Sequence, residues 1–222
     1  AAAGDLISTD GEIEVHAGVV NSGASAHLFM DASTSITVSG TGIIDMQADG
    51  DITLGTLSTI SGDITVDSTA GLIKESTADE TGGVIVDINS TGGVVTLKAA
   101  TGIGSVNNAI DTTMEFLALD NSGSGDVYIL ESDALTLNAS SSAGGNLDVQ
   151  VSDGDLTVAG ALSTSGNGTI TLKTLGTSAD LNINDAITVV NGKMSLHAGN
   201  DVKMAAAGDL ISTDGEIEVH AG

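Results

Sequence analysis

Arginine, cysteine, proline and tryptophan are all missing from this chain of 222 residues. Without cysteine no disulfide bond can form, so the fold must be stabilised by burial and by hydrogen bonds alone. The only aromatic residues are Phe29, Phe116 and Tyr128. Binding hot spots are rich in Trp, Tyr and Arg, and polysaccharide-cleaving sites combine clustered carboxylates with basic and aromatic groups. These absences argue against an enzyme and favour a structural role over a ligand-binding one.

Positive charge is also scarce. The chain has 30 Asp and Glu residues against five Lys, which gives a formal net charge of −25. Phosphate contacts require Lys and Arg, so we expect no nucleic-acid partner. An anionic membrane would repel the chain. The chain also has no run of 18 apolar residues, so we expect no insertion into a membrane. An acidic surface does offer oxygen ligands to Ca²⁺.

The chain repeats itself. Residues 1–18 and 205–222 are identical, at an offset of 204 residues. We interpret residues 1–222 as one continuous segment that contains one tandem unit (1–204) and the start of the next (205–222). Repetition of a whole unit favours length or multivalency over a single active site.

A short pattern recurs throughout: glycine, a polar residue, then apolar, polar and apolar residues. Such alternation predicts short β-strands with one apolar face, and we expect the glycine to supply a turn with positive φ. The copies begin at Gly11, Gly50, Gly62, Gly125, Gly145, Gly154, Gly168 and Gly192.

The spacing of the glycines predicts the architecture. Gly145, Gly168, Gly192 and Gly215 follow one another at a nearly constant interval. This period is typical of an all-β, right-handed parallel β-helix (β-solenoid), and we expect about ten coils of 19–24 residues in a rod about 50 Å long. A β-sandwich is the alternative, but it usually needs a Trp or Tyr core anchor. Residues 69–120 follow the glycine pattern less closely. Two interpretations stay open for them: regular coils or a protruding insertion.

The cadence of residues 192–215, GKMSLHAG followed by NDVKMAAAG and DLISTDG, resembles the repeats of filamentous-haemagglutinin-type bacterial exoproteins. The resemblance extends over most of the chain. It implies a large secreted protein, located outside the cell at the bacterial surface, with a structural or adhesive role.

Histidines are the first candidate metal ligands. His197 and His220 follow inward apolar residues, so both should point outward, and their separation in the sequence is close to the length of one coil. We therefore expect them to stack. One interpretation is a metal-binding or pH-sensitive ladder, and the other is a solvated pair at equivalent positions.

Aspartates are the second candidates. Asp5, Asp51, Asp63, Asp126, Asp155 and Asp209 each follow a glycine at the start of a strand. Calcium would relieve their mutual repulsion, and the segment from Asp120 to Asp126 is the best candidate loop. The glycine-rich nonapeptide of calcium β-rolls is absent, however, and aspartates at turns commonly accept hydrogen bonds from backbone amides.

Taken together, these features predict a structural repeat unit of a giant extracellular fibre that has no cofactor and associates with itself. The alternative is the stalk of a secreted adhesin that binds a cell-surface or carbohydrate ligand. A β-helix enzyme acting on polysaccharides is a distant third.

Overall fold

The computed structural model describes residues 4–18, 25–76 and 86–222, and within these ranges it is all-β, without a helix. The strands are β1 Leu6–Ser8, β2 Ile13–Ala17, β3 Leu28–Phe29, β4 Ser35–Val38, β5 Ile44–Ala48, β6 Ile52–Leu54, β7 Thr56–Thr59, β8 Ile64–Ser68, β9 Ile73–Glu75, β10 Ile88–Ala99, β11 Ile110–Asn121, β12 Val127–Glu131, β13 Leu135–Leu137, β14 Ser140–Ser142, β15 Leu147–Val151, β16 Leu156–Val158, β17 Leu162–Thr164, β18 Ile170–Thr174, β19 Leu181–Ile183, β20 Ile187–Val189, β21 Met194–Ala198, β22 Val202–Met204, β23 Leu210–Ser212 and β24 Ile217–Ala221.

Alternation of apolar and polar residues sets the two faces of each strand. In β5, Ile44, Met46 and Ala48 are buried, whereas the intervening Asp45 and Gln47 point outward. The named strands pair in parallel with strands of the coils above and below, at the spacing of about 4.8 Å that is general for β-sheets. The predicted parallel β-solenoid is therefore confirmed, whereas its handedness stays a prediction.

Strands that stack on one another form columns, and the lower part of the solenoid has three. The first contains β1, β4, β7 and the first halves of β10 and β11. The second contains β2, β5, β8 and the second halves of the same two long strands. The third contains β3, β6 and β9, and continues through Ile103.

Three columns also form the upper part. One contains β12, β15, β18, β21 and β24. Its start continues the third lower column, because Val127 pairs with Ile103, and its end stands on the first half of β11, where Thr112 pairs with Glu131. Another contains β13, β16, β19 and β22. The last contains β14, β17, β20 and β23. It stands on the end of β11, where Asp120 pairs with Ser141.

The solenoid makes about eight turns, fewer than the ten expected. Most coils have the predicted length, as between Ile44 and its partner Ile64. The coil from Ile13 to its partner Ile44 and the coil from Ile64 to its partner Val95 are longer than the predicted range. These two long coils account for part of the difference. Eight turns correspond to a rod about 40 Å long.

The core is a set of apolar ladders inside the coils. Ile44, Ile64, Val95 and Leu117 follow one another in the second column, and all four are fully buried. The irregular region 69–120 belongs to the same stack, since β9, β10 and β11 are rungs of the columns, with a shift in the β10–β11 register between Ser90 and Val94. Residues 77–85 of that region lie outside the described ranges.

The glycines at the strand starts serve a different purpose from the one predicted. Of the eight, only Gly125 and Gly154 have a positive φ. At Gly145, Gly168, Gly192 and Gly215 an added Cβ would instead overlap the carbonyl oxygen of the glycine one coil below. A second ladder of the same kind contains Gly11, Gly42, Gly62 and Gly93. Close approach of stacked backbones, more often than positive φ, requires glycine here.

Candidate functional site

His197 and His220 are the fourth residues of β21 and β24, and both point outward. They are direct partners in neighbouring coils, with ring centroids 4.7 Å apart and an interplanar angle of 10°. The predicted stacking of the two histidines is therefore confirmed. Stacking follows from the sequence locally, because the strands MSLHA and IEVHA place their histidines at the same position.

Acidic and basic groups surround the histidine pair. Nε2 of His220 lies 2.7 Å from Oε1 of Glu218, and Nε2 of His197 lies 3.0 Å from the hydroxyl of Ser195. The other carboxylate oxygen of Glu218 contacts the Lys193 ammonium. The hydrogen bond from Lys193, followed by that from His220, lowers the pKa of Glu218 to about 2. Glu218 is thus a carboxylate at neutral pH.

One ligand atom from each of His197, Glu218 and His220 lies within 4.8 Å of the other two, so these three side chains can approach one cation. Lys193 already forms an ion pair with Glu218, however. The arrangement therefore fits an ion-paired polar surface that ties β21 to β24. Metal binding by the histidines stays a prediction.

The two aspartates of the predicted calcium loop bond to the coil above. Oδ1 of Asp120 accepts a hydrogen bond of 3.2 Å from the hydroxyl of Ser141. Oδ1 of Asp126 accepts one of 2.8 Å from the amide of Asn146, and its Oδ2 accepts one of 3.2 Å from Tyr128. In the described part of the chain, neither aspartate belongs to a group of three potential metal ligands. Calcium binding at this loop stays a prediction.

The same bond recurs along the solenoid. Asp5, Asp51, Asp63, Asp126 and Asp155 each accept a backbone N–H from the next coil, at 2.8–3.1 Å. Asn146 does the same with the amide of Thr169 at 2.9 Å. The strand-opening aspartates therefore hold consecutive coils together. Asp209 is the sixth member of the set, and it lies in the top coil.

Sequence reasoning missed one cluster. Glu75, Asp87 and Asp111 lie inside the coils, at most 4% exposed, and their carboxylate oxygens are within 4.8 Å of one another. All three have further interaction partners. The only signal was the inward position of Glu75, two residues after the buried Ile73. The cluster therefore brings three carboxyl groups together in the core. It is enclosed and cannot contact a polymeric substrate.

A shallow groove beside Tyr128 combines an aromatic ring with apolar surface. Val106, 72% exposed, projects from the turn that an antiparallel bridge closes between Ser105 and Asn108. The groove is lined by Tyr128 and Val106 together with Ser105, Leu130 and Gln150. Burial is the main factor that raises the pKa of Tyr128 above its usual value. A planar ring beside polar groups is suited to a sugar, although the groove is open.

The two ends of the rod are also chemically distinctive surfaces. Residues that alternation assigns to the core are exposed there, such as Leu6 at one end and Ile217 and Val219 at the other. Their strands also present backbone groups on the side that faces away from the rod. Such edges pair readily with another strand.

No family model, curated protein or solved structure matches this chain. In the described ranges, the chain forms no helix of the length and hydropathy needed to cross a membrane.

Proposed function

We propose that this chain is a structural segment of a long extracellular fibre or surface filament, in which successive repeats form one continuous β-solenoid. The observation that carries the proposal is the identity of the two ends. The sequence that forms β1 and β2 at the bottom of the rod forms β23 and β24 at its top. This sequence therefore has a coil above it where it forms β1 and β2, and a coil below it where it forms β23 and β24.

Two further features support this role. The bonds that connect the coils are distributed along the whole rod, as an element under tension requires, and are not concentrated at one site. The outward surface is strongly acidic, which keeps a long rod soluble. The resemblance to bacterial exoprotein repeats supports a location at the cell surface. Each repeat would add about 40 Å of reach.

Electron microscopy of a chain that carries several repeats tests the proposal. We expect uniform rods whose length grows by about 40 Å with each repeat, with an axial spacing of about 4.8 Å. The measurement should be made with and without a chelator, so that any need for calcium is detected. Separate globular beads joined by linkers would overturn the proposal.

An adhesin stalk is the second candidate, and the groove beside Tyr128 favours it. If this groove binds a carbohydrate ligand, Tyr128→Ala should abolish retention on a glycan array. The matched control is Thr171→Ala, which changes an outward residue two coils above Tyr128 and away from the groove. If the unaltered chain is not retained on the array, the adhesin role is excluded and only the structural role remains.

A further inference from the structure

Residues 1–18 recur at 205–222, which sets the repeat at 204 residues. We infer that each repeat advances the solenoid by eight turns plus one of the three strands of a coil, so that successive repeats are rotated by one-third of a turn. The inference rests on the proposed continuous rod. It defines the surface by which each repeat stacks on the next, and the partner is another copy of this chain.

The first observation is the position of β24. From Ile217, at the start of β24, the stack passes downward through the starts of β21, β18, β15 and β12, then through Ile103 to β9, β6 and β3. The end of β12 stands instead on the first half of β11. Ile217 therefore lies eight coils above Leu28 in β3. The sequence copy of Ile217 is Ile13, which lies in β2. The copy in β24 has moved forward by one strand relative to β2.

The second observation is independent, because it follows another column. From β23 downward, the stack passes through β20, β17 and β14, then through the second halves of β11 and β10 to β8, β5 and β2. Ile211 therefore lies eight coils above His16 in β2. Its sequence copy, Ile7, lies in β1. The displacement is again one strand.

The chain contains both halves of the junction between repeats. At the bottom, β1 supports β4 and β2 supports β5. At the top, the identical β23 and β24 rest on β20 and β21. If the two copies are superposed, the next repeat places its β4 on β23 and its β5 on β24. No new type of strand pairing is needed for these two columns.

The glycine ladders and aspartates agree with this junction. Gly215 ends the upper ladder, and its copy Gly11 begins the lower one. Superposition therefore joins the two into one ladder, in which Gly42 of the next repeat lies above Gly215. Likewise, Asp5 accepts hydrogen bonds from the amide and hydroxyl of Ser35. Its copy Asp209 would receive the same two bonds from Ser35 of the next repeat.

The rotation determines what the rod displays. Three advances of eight and one-third turns make 25 whole turns, so identical strands return to one column only after three repeats, about 120 Å. A feature such as the His197–His220 pair then occurs once on each of the three sides. A neighbouring rod or a flat surface would meet it at intervals of about 120 Å rather than about 40 Å.

Cysteine pairs in a chain with two complete repeats test the junction, since the natural sequence has no cysteine. Directly paired residues in neighbouring coils are close enough for a disulfide. His197→Cys in the first repeat should link to His16→Cys in the second. In a separate variant, His16→Cys should link to Gln47→Cys, both in the second repeat. We expect near-complete crosslinking of each pair on non-reducing gels and by mass spectrometry.

The matched control is Thr188→Cys in the first repeat combined with His16→Cys in the second. Thr188 pairs with Ile211, the copy of Ile7, so this pair should not crosslink. If each repeat made a whole number of turns, His16 would lie above Thr188, and the control would crosslink instead. Crosslinking of the control would overturn the one-third turn but not the continuous rod. So would a rod in which His197→Cys of the first repeat fails to link to His16→Cys of the second. Beads that retain only the His16–Gln47 crosslink would overturn the continuous rod as well.

Discussion

Glu131, at the end of β12, accepts a hydrogen bond of 2.7 Å from the hydroxyl of Thr112, its partner one coil below. The amides of Met114, Ser132 and Asp133 also donate to this carboxyl group, at 2.9–3.1 Å. Glu131 is fully buried. Burial raises the pKa of its carboxyl group from 4.5 to about 7, although the hydrogen bond from Thr112 acts in the opposite direction.

The raised pKa of Glu131 predicts a stability that falls as pH rises. The folded state binds this proton more tightly than the unfolded state, so the contribution is fully present below pH 4.5 and is lost as pH rises through about 7. The shift corresponds to about 3 kcal/mol. Glu131→Gln should remove this part of the pH dependence, as measured by urea unfolding from pH 4 to pH 8.

Glu115→Gln is the control, because Glu115 is exposed on the neighbouring β11. It should follow the pH profile of the unaltered protein. If the unaltered protein instead gains stability relative to Glu131→Gln between pH 4.5 and 7, the four donors outweigh burial, and the assigned pKa direction is wrong.

Two consecutive glycines in β10, Gly92 and Gly93, distinguish two reasons for a glycine: the close approach of stacked backbones and conformational freedom. A Cβ on Gly93 would overlap the carbonyl oxygen of Gly62, whereas a Cβ on Gly92 would meet its nearest atom, the carbonyl oxygen of Ile60, at 3.4 Å. Neither glycine has a positive φ. Gly93→Ala should therefore destabilise the solenoid by about 1–3 kcal/mol. Gly92→Ala should change stability by less than about 1 kcal/mol.

Urea unfolding followed by circular dichroism would measure both variants. Equal losses would show that glycine is required in this segment for its conformational freedom and not for the approach of Gly62. Equal tolerance would show that the coils can separate locally to admit a methyl group.

Most of the fold could be predicted from the sequence, because it depends on local alternation. Strands such as β5 and β15 have clear period-two patterns, and the glycine spacing indicated the coil length. The number of turns is lower than expected, in part because the coils that begin at Ile13 and Ile64 are longer than the glycine spacing indicated. The role of Gly145 and Gly168 was also predicted wrongly, because a turn with positive φ and a close approach of two backbones both require glycine.

The candidate sites were less predictable, because they depend on which coils are neighbours. The stacking of His197 on His220 followed from their spacing, but the involvement of Lys193 and Glu218 did not. Glu75, Asp87 and Asp111 come from three strands or strand ends whose register no sequence pattern reveals. The phase of the repeat was inaccessible for the same reason. It requires the position of every strand between Ile13 and Ile217.

Asp126 distinguishes a hydrogen-bonding role of the aspartates from a calcium-binding one. Its Oδ1 accepts the amide of Asn146, and Asn146 itself shows that an amide oxygen can accept the equivalent bond from the coil above. Asp126→Asn should therefore retain the stability of the unaltered chain, whereas Asp126→Ala should lose about 1 kcal/mol, because the amide of Asn146 loses its acceptor. Urea unfolding with and without a chelator would measure both. Calcium prefers charged oxygens, so a calcium ligand predicts that the two variants lose stability equally. In that case Asp126→Asn would lose as much stability as Asp126→Ala, and a chelator would reproduce the loss in the unaltered chain.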